Sequence, residues 1–156
     1  MTSTFTCSTR AAVTALALCA AAATAAQQVP SAPAATVWRS ECGSCHVAFP
    51  ARLMTAADWR IVMSRLDRHY GTDASIDPAM ASDIGRYLEA AAGRRSGGDD
   101  AGLPRITTGH WFVKEHRKVP AGTFASPKVK SAVNCAACHP NAAQGGFDDD
   151  DIRIPR

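Results

Sequence analysis

Cys42-Gly43-Ser44-Cys45-His46 and Cys135-Ala136-Ala137-Cys138-His139 are the two stretches on which the reading of this chain turns. Each sets two thiols three residues apart and places an imidazole directly after the second. That order suits a porphyrin, because each thiol can add to a different vinyl group while the histidine reaches the iron. A single copy is a modest signal, since Cys-x-x-Cys also serves zinc and thiol–disulfide chemistry. Two copies weigh more. Structural zinc would take both pairs as four ligands of one metal and leave both adjacent histidines without a task. The sequence therefore predicts two haem c groups, attached at Cys42, Cys45, Cys135 and Cys138, with His46 and His139 as proximal ligands to the irons.

The rest of the cysteine count agrees. Of the six cysteines, Cys7 and Cys19 fall in residues 1–26. That segment reads as a signal peptide: a short start ending at Arg10, an apolar run from Ala11 to Ala23, and Ala23-Thr24-Ala25 as the small-x-small pattern before cleavage. The run is too short to span a bilayer comfortably. The expectation is a cleaved leader, a periplasmic location and no integral membrane span in the mature form. Lipidation at Cys19 is disfavoured because Leu18 stands where a small residue is required. With the leader gone, every cysteine lies in a motif and none remains for a disulfide.

The chain carries 17 Lys and Arg against 14 Asp and Glu, and the leader removes only Arg10, so the mature polypeptide is mildly basic. Haem propionates offset that excess, which brings the loaded protein near neutral when oxidised and slightly acidic when reduced. Nucleic-acid binding gains no support from such a balance.

Outward from the motifs, the pattern predicts a mainly α protein with two small haem-binding domains. Residues 27–36 are Pro/Ala-rich and read as a flexible lead-in. Residues 37–93 form the first domain. Within it Trp59, Val62, Met63, Leu66, His69 and Tyr70 recur at helical spacing, behind a capping box at Thr55 and Asp58, with Gly71 as the stop. A further helix opens at Asp77-Pro78 and runs to about Ala92. Residues 94–104, rich in glycine and without apolar period, read as a linker. Residues 105–156 form the second domain, whose large apolar residues are few. A segment that short rarely sustains a core without a staple, and covalent haem would supply one. Pro127 to His139 reads as a helix stopped by Pro140; little other regular structure is expected there.

What completes each iron is a separate question, because a second histidine gives a lower potential than methionine and an open position permits ligand binding. Candidates are His69, His110 and His116, with Met54, Met63 and Met80. His69 ends the apolar stripe and is favoured for the first haem. Met80 competes, although its place in the first turn of a helix suits a ligand less well. Met54 and Met63 read as core residues. For the second haem, Phe112 and His116 share a face at i,i+4, whereas His110 follows a loop sequence, so spacing favours His116.

The order of these features resembles a known family. Cys-Gly-Ser-Cys-His-Val-Ala-Phe-Pro, Leu-Asp-Arg-His-Tyr-Gly-Thr-Asp-Ala-Ser, Trp-Phe-Val-Lys-Glu-His-Arg-Lys-Val, Asn-Cys-Ala-Ala-Cys-His and Ile-Arg-Ile-Pro together resemble the small dihaem cytochrome c family from about Trp38 to Pro155. The resemblance implies a class I cytochrome c-like N-terminal domain, an unrelated C-terminal haem domain and His/His ligation at both irons, with His69 and His116 as distal ligands. It also implies a low-potential electron carrier that serves a monohaem, oxygen-binding cytochrome c of the sphaeroides haem protein type and takes electrons in some pathways from a membrane b-type cytochrome.

No acid/base constellation accompanies the motifs, so the expectation is electron transport and not catalysis. The alternative is a haem enzyme or gas-binding protein, peroxidase-like or oxygen-reducing, with one open or labile iron. Asp148 to Asp151 reads as a solvated turn or a docking patch. Arg117, Lys118, Lys128 and Lys130 flank the second motif and suit propionate pairing or partner steering.

Overall fold

The computed structural model describes residues 32–120 and 122–155. The leader at residues 1–26 and the first part of the expected lead-in lie outside the described residues. Helix α1 (Ala32–Cys42) already includes residues 32–36 and ends on the first cysteine of the first motif. Gly43 closes it, its N–H donating to the Arg39 carbonyl at 3.1 Å.

Two further helices build the first core. Helix α2 (Ala56–Met63) starts at Thr55, whose hydroxyl accepts the Asp58 N–H while the Asp58 carboxylate accepts the Thr55 N–H, the capping box that the sequence predicts. Helix α3 (Pro78–Ala90) starts at Asp77, whose carboxylate accepts the N–H groups of Ala79 and Met80, with proline in its first turn. Trp38 of α1, Trp59 and Val62 of α2, and Ile84 and Leu88 of α3 bury together with Ala48, Ala51 and Met54. The Trp59 indole N–H donates to the Ala51 carbonyl at 2.7 Å, so the largest side chain of the core also fixes the segment that leaves the first motif.

Helix α2 is shorter than its apolar stripe. It stops at Met63 because Ser64 folds its hydroxyl back onto the Ile61 carbonyl at 2.8 Å, and the chain resumes as a 3₁₀ turn over Leu66–Arg68. His69 therefore stands on a loop and not on the helix face that its spacing suggested.

Residues expected as a linker are built in part as a hairpin. Strands β1 (Gly98–Asp100) and β2 (Leu103–Arg105) pair antiparallel, Asp99 facing Pro104, across a left-handed turn at Ala101 and Gly102. The hairpin is held by α2: the buried Asp58 carboxylate accepts the Gly97 N–H at 3.2 Å as well as the Thr55 hydroxyl at 2.8 Å. One carboxylate thus caps α2 and anchors the hairpin. Asp58→Ala is expected to cost about 2–3 kcal/mol, the scale for stranding several donors on a lost charged acceptor. Denaturant unfolding of the haem-loaded protein measures it, and a loss within about 0.5 kcal/mol, the range of ordinary surface changes, would refute the anchoring role.

Beyond the hairpin, helix α4 (His110–Glu115) is the one α-helix among the described residues. The helix expected from Pro127 to His139 does not form. Turns and a 3₁₀ turn at Cys135–Ala137 take its place, and Lys130 adopts a left-handed conformation at φ 70° that no helix continues through. Buried apolar residues are sparse here, namely Phe112, Val129 and Ala142. The molecule is mainly α with a small two-stranded sheet. No helix among the described residues is long and apolar enough to cross a membrane.

Candidate metal centres

The first motif leaves α1 and turns so that His46 stacks on Phe49, ring centres 4.7 Å apart. Its Nδ1 donates to the Val47 carbonyl at 2.7 Å, which leaves Nε2 as the nitrogen with a free lone pair. Opposite it stands His69, 6.3 Å from His46 centre to centre with the two ring planes 15° apart. A tight loop puts it there: His69 bridges to Thr72, and Tyr70 and Gly71 both take positive φ, 50° and 91°. A tyrosine in that region is strained. It is held because its hydroxyl donates to the Pro104 carbonyl, its ring packs edge-on against His69 at 4.7 Å, and the Arg105 guanidinium lies 4.4 Å over its face.

The second motif repeats the pairing with other parts. His116 ends α4 and stacks on Phe112 at 3.9 Å, the i,i+4 pair that the sequence predicts, and its Nδ1 donates to the Phe112 carbonyl at 2.9 Å. It lies 6.2 Å from His139 centre to centre, with ring planes 80° apart. Phe124 and Phe147 close the sides, 5.9 Å from His116 and 5.2 Å from His139.

These two separations can be tested against a bound iron. Two imidazoles on opposite sides of one metal, at about 2.0 Å per metal–nitrogen bond and with each ring centre about 1.15 Å behind its nitrogen, lie about 6.3 Å apart. Both pairs meet that value. Nδ1 of His69 and of His139 are buried with no hydrogen-bond partner among the described residues. Burial, then His46 and Arg105, hold His69 below the ordinary histidine pKa, and burial followed by His116 does so for His139. Neutral imidazole is the form that binds a metal.

The thiols lie as attachment requires. Cys42, Cys45, Cys135 and Cys138 are all free, and burial first of all pushes the Cys42 and Cys135 thiols up to about 11. Among the described residues no three His, Cys, Asp or Glu converge as metal ligands, so the cysteine pairs do not assemble a four-thiolate zinc site. The residues present fit haem c.

Other candidates fall elsewhere. Met54 is a core residue at 2% exposure, Met63 packs against the core, and Met80 is exposed on the first turn of α3. His110 opens α4 and faces solvent. Asp149–Asp151 form a 3₁₀ turn in which Asp151 accepts the Asn141 side-chain amide at 2.8 Å. Sequence reasoning gave no site role to Phe49, three residues after His46, placed Tyr70 only in a helical stripe, and gave none to Arg105, which only the hairpin brings near.

A profile of the dihaem cytochrome c family matches residues 38–147. Among solved structures, the chain is similar to the dihaem cytochrome c of Shewanella baltica OS155 at 36% identity, over 79% of this chain and 94% of that one, with a TM-score of 0.69. It is also similar to the dihaem cytochrome of Rhodobacter sphaeroides, at 38% identity over 72% of this chain and 96% of that one in one structure (TM-score 0.58), and at 34% identity over 72% and 95% in a second (TM-score 0.61). No curated protein matches.

Proposed function

Because the chain belongs to the dihaem cytochrome c family, electron-transfer proteins with two haem c groups, we propose that it is a low-potential periplasmic carrier in which His46 and His69 hold one iron and His139 and His116 the other. The observation that carries the ligand reading is the pair of ring separations, 6.3 Å and 6.2 Å, the spacing of two imidazoles that share one iron. Haem iron supplies a one-electron change between ferric and ferrous states.

The polypeptide's part is to keep that change reversible and cheap in reorganisation. Carbonyls of Val47 and Phe112 accept from the Nδ1 of His46 and His116, which raises the basicity of each ring and favours the ferric state. Phe49, Tyr70, Phe112, Phe124 and Phe147 pack against the imidazoles and shield part of their surface from water. The proposed acceptor is an oxygen-binding monohaem cytochrome c of the sphaeroides haem protein type, and a membrane b-type cytochrome is the proposed source.

Spectroscopy of the ferric protein tests this directly. Both irons are expected to be low-spin and slow to bind carbon monoxide or cyanide. Low-temperature EPR should separate them, since near-parallel imidazoles give a rhombic signal and near-perpendicular ones the large-gmax type. A high-spin signal at either haem, or rapid ligand binding by the undenatured protein, would sink the carrier and favour the enzyme or gas-binding reading.

A further inference from the structure

Arg52 sits in the 3₁₀ turn Ala51–Leu53, three residues after the phenylalanine that stacks on His46. Its backbone belongs firmly to the first domain. Ala51 and Leu53 on either side are buried, Trp59 bonds the Ala51 carbonyl, and the Arg52 carbonyl lies so close to Gly93 that a Cβ there would come within 1.9 Å of it. The side chain leaves this base and crosses to the other domain, at a cleft of about 310 Å³ that also separates Trp38 and Tyr87 from Gln144. There its Nη2 donates to the Gly145 carbonyl at 2.9 Å, a bond that joins residues 93 apart in sequence, and its guanidinium lies 5.9 Å over the Phe147 ring. Phe147 in turn packs on His139. Gly145 takes φ 82° to close the preceding 3₁₀ turn, a conformation natural to glycine.

We propose that Arg52 is a positioning residue through which the first domain fixes the strap over His139 and biases the second haem electrostatically. The proposal rests on His139 being an axial ligand. Each element of the chain from Arg52 to Phe147 to His139 is a direct contact, and none of the three is shared with the first iron's ligands. A fixed cation beside an iron stabilises its ferrous form, because reduction removes one positive charge from the centre. Arg52 is exposed, so solvent screens much of that field and the effect is moderate. Its second effect is mechanical: the Gly145 bond and the Phe147 contact hold residues 142–147 in place against the proximal ring.

The experiment is a spectroelectrochemical titration of the haem-loaded protein and of its Arg52→Gln and Arg52→Lys variants, with EPR followed at each potential so that the two haems are read separately. Arg52→Gln should shift the reduction equilibrium between the haems about threefold away from the second, about 28 mV at 59 mV per tenfold for one electron, with the first haem unmoved. Arg52→Lys should restore most of that shift, yet leave the amides of residues 142–147 exchanging faster than in the unsubstituted protein. Unchanged potentials in Arg52→Gln, equal movement of both haems, or failure of lysine to restore the second overturns the proposal. Absence of two low-spin signals from the unsubstituted protein overturns the ligand reading instead, so the two failures are told apart.

Discussion

With methionine in place of His69, the first haem is expected to stay low-spin while its potential rises by about 0.1–0.2 V, a fraction of the roughly 0.8 V over which axial ligands tune haem. A thioether is a poorer base than imidazole and favours ferrous iron, so the exchange moves the equilibrium toward reduction. The geometry supports a substitution without collapse: His69 is held by backbone pairing to Thr72 and by the left-handed turn at Tyr70 and Gly71, and Tyr70 keeps its Pro104 and Arg105 contacts when the imidazole edge contact is lost. The second haem should not move, since its proposed ligands come from the end of α4 and the second motif. Met80→Leu is the control. Met80 is 36% exposed on the first turn of α3, and its loss should leave both potentials in place. A potential unchanged in His69→Met, or lowered stability of the first haem in Met80→Leu, would show that the sixth ligand comes from elsewhere.

Removing the second haem should have the largest structural effect. In a chain carrying both Cys135→Ala and Cys138→Ala, the residues after the hairpin are expected to lose all slow amide exchange, while α1, α2 and α3 keep theirs. The reason is the contrast between two cores. The first gathers two tryptophans, Ile84 and Leu88 from three helices around Met54, whereas the second, among the described residues, buries only Phe112 of the short α4 and Val129 and Ala142 among turns. Apolar burial of that size cannot offset the conformational entropy of ordering about fifty residues at 1–2 kcal/mol each. His116, His139 and their aromatic neighbours enclose the haem site in place of a core. Protection retained after haem loss, read by hydrogen exchange, would mean that the turns carry their own stability.

Where local chemistry decides, the sequence was sufficient. The Thr55–Asp58 box, the Asp77-Pro78 start and the Phe112–His116 pair each depend on residues within one turn of each other, and each is found as expected. The attachment motifs are legible for the same reason. What escaped was set by distant partners. The hairpin at residues 98–105 has no apolar alternation to announce it; it is held by Asp58 from α2 and by the Arg105 contact with Tyr70. The spacing that singled out His69 is replaced by another cause, because Ser64 ends α2 and a strained loop, not a helical stripe, brings the ring to His46. Pro127 to His139 has helix-compatible residues, yet Asn134 spends its side chain on the Val129 carbonyl at 3.0 Å and Lys130 reverses the backbone.

The burial of Cys42 and Cys135 has a bearing on the order of events in the life of the chain. Their thiols are pushed up to about 11, so in the folded polypeptide only about one in ten thousand would be ionised at neutral pH, and it is the thiolate that reacts. Cys42 is moreover the last residue of α1, its position settled as soon as that helix docks. A finished fold would present one thiol of each pair, Cys42 and Cys135, both shielded and protonated, while Cys45 stays exposed. Thioether formation at these two positions is therefore easier on a chain still open, so that folding closes over a bond already made.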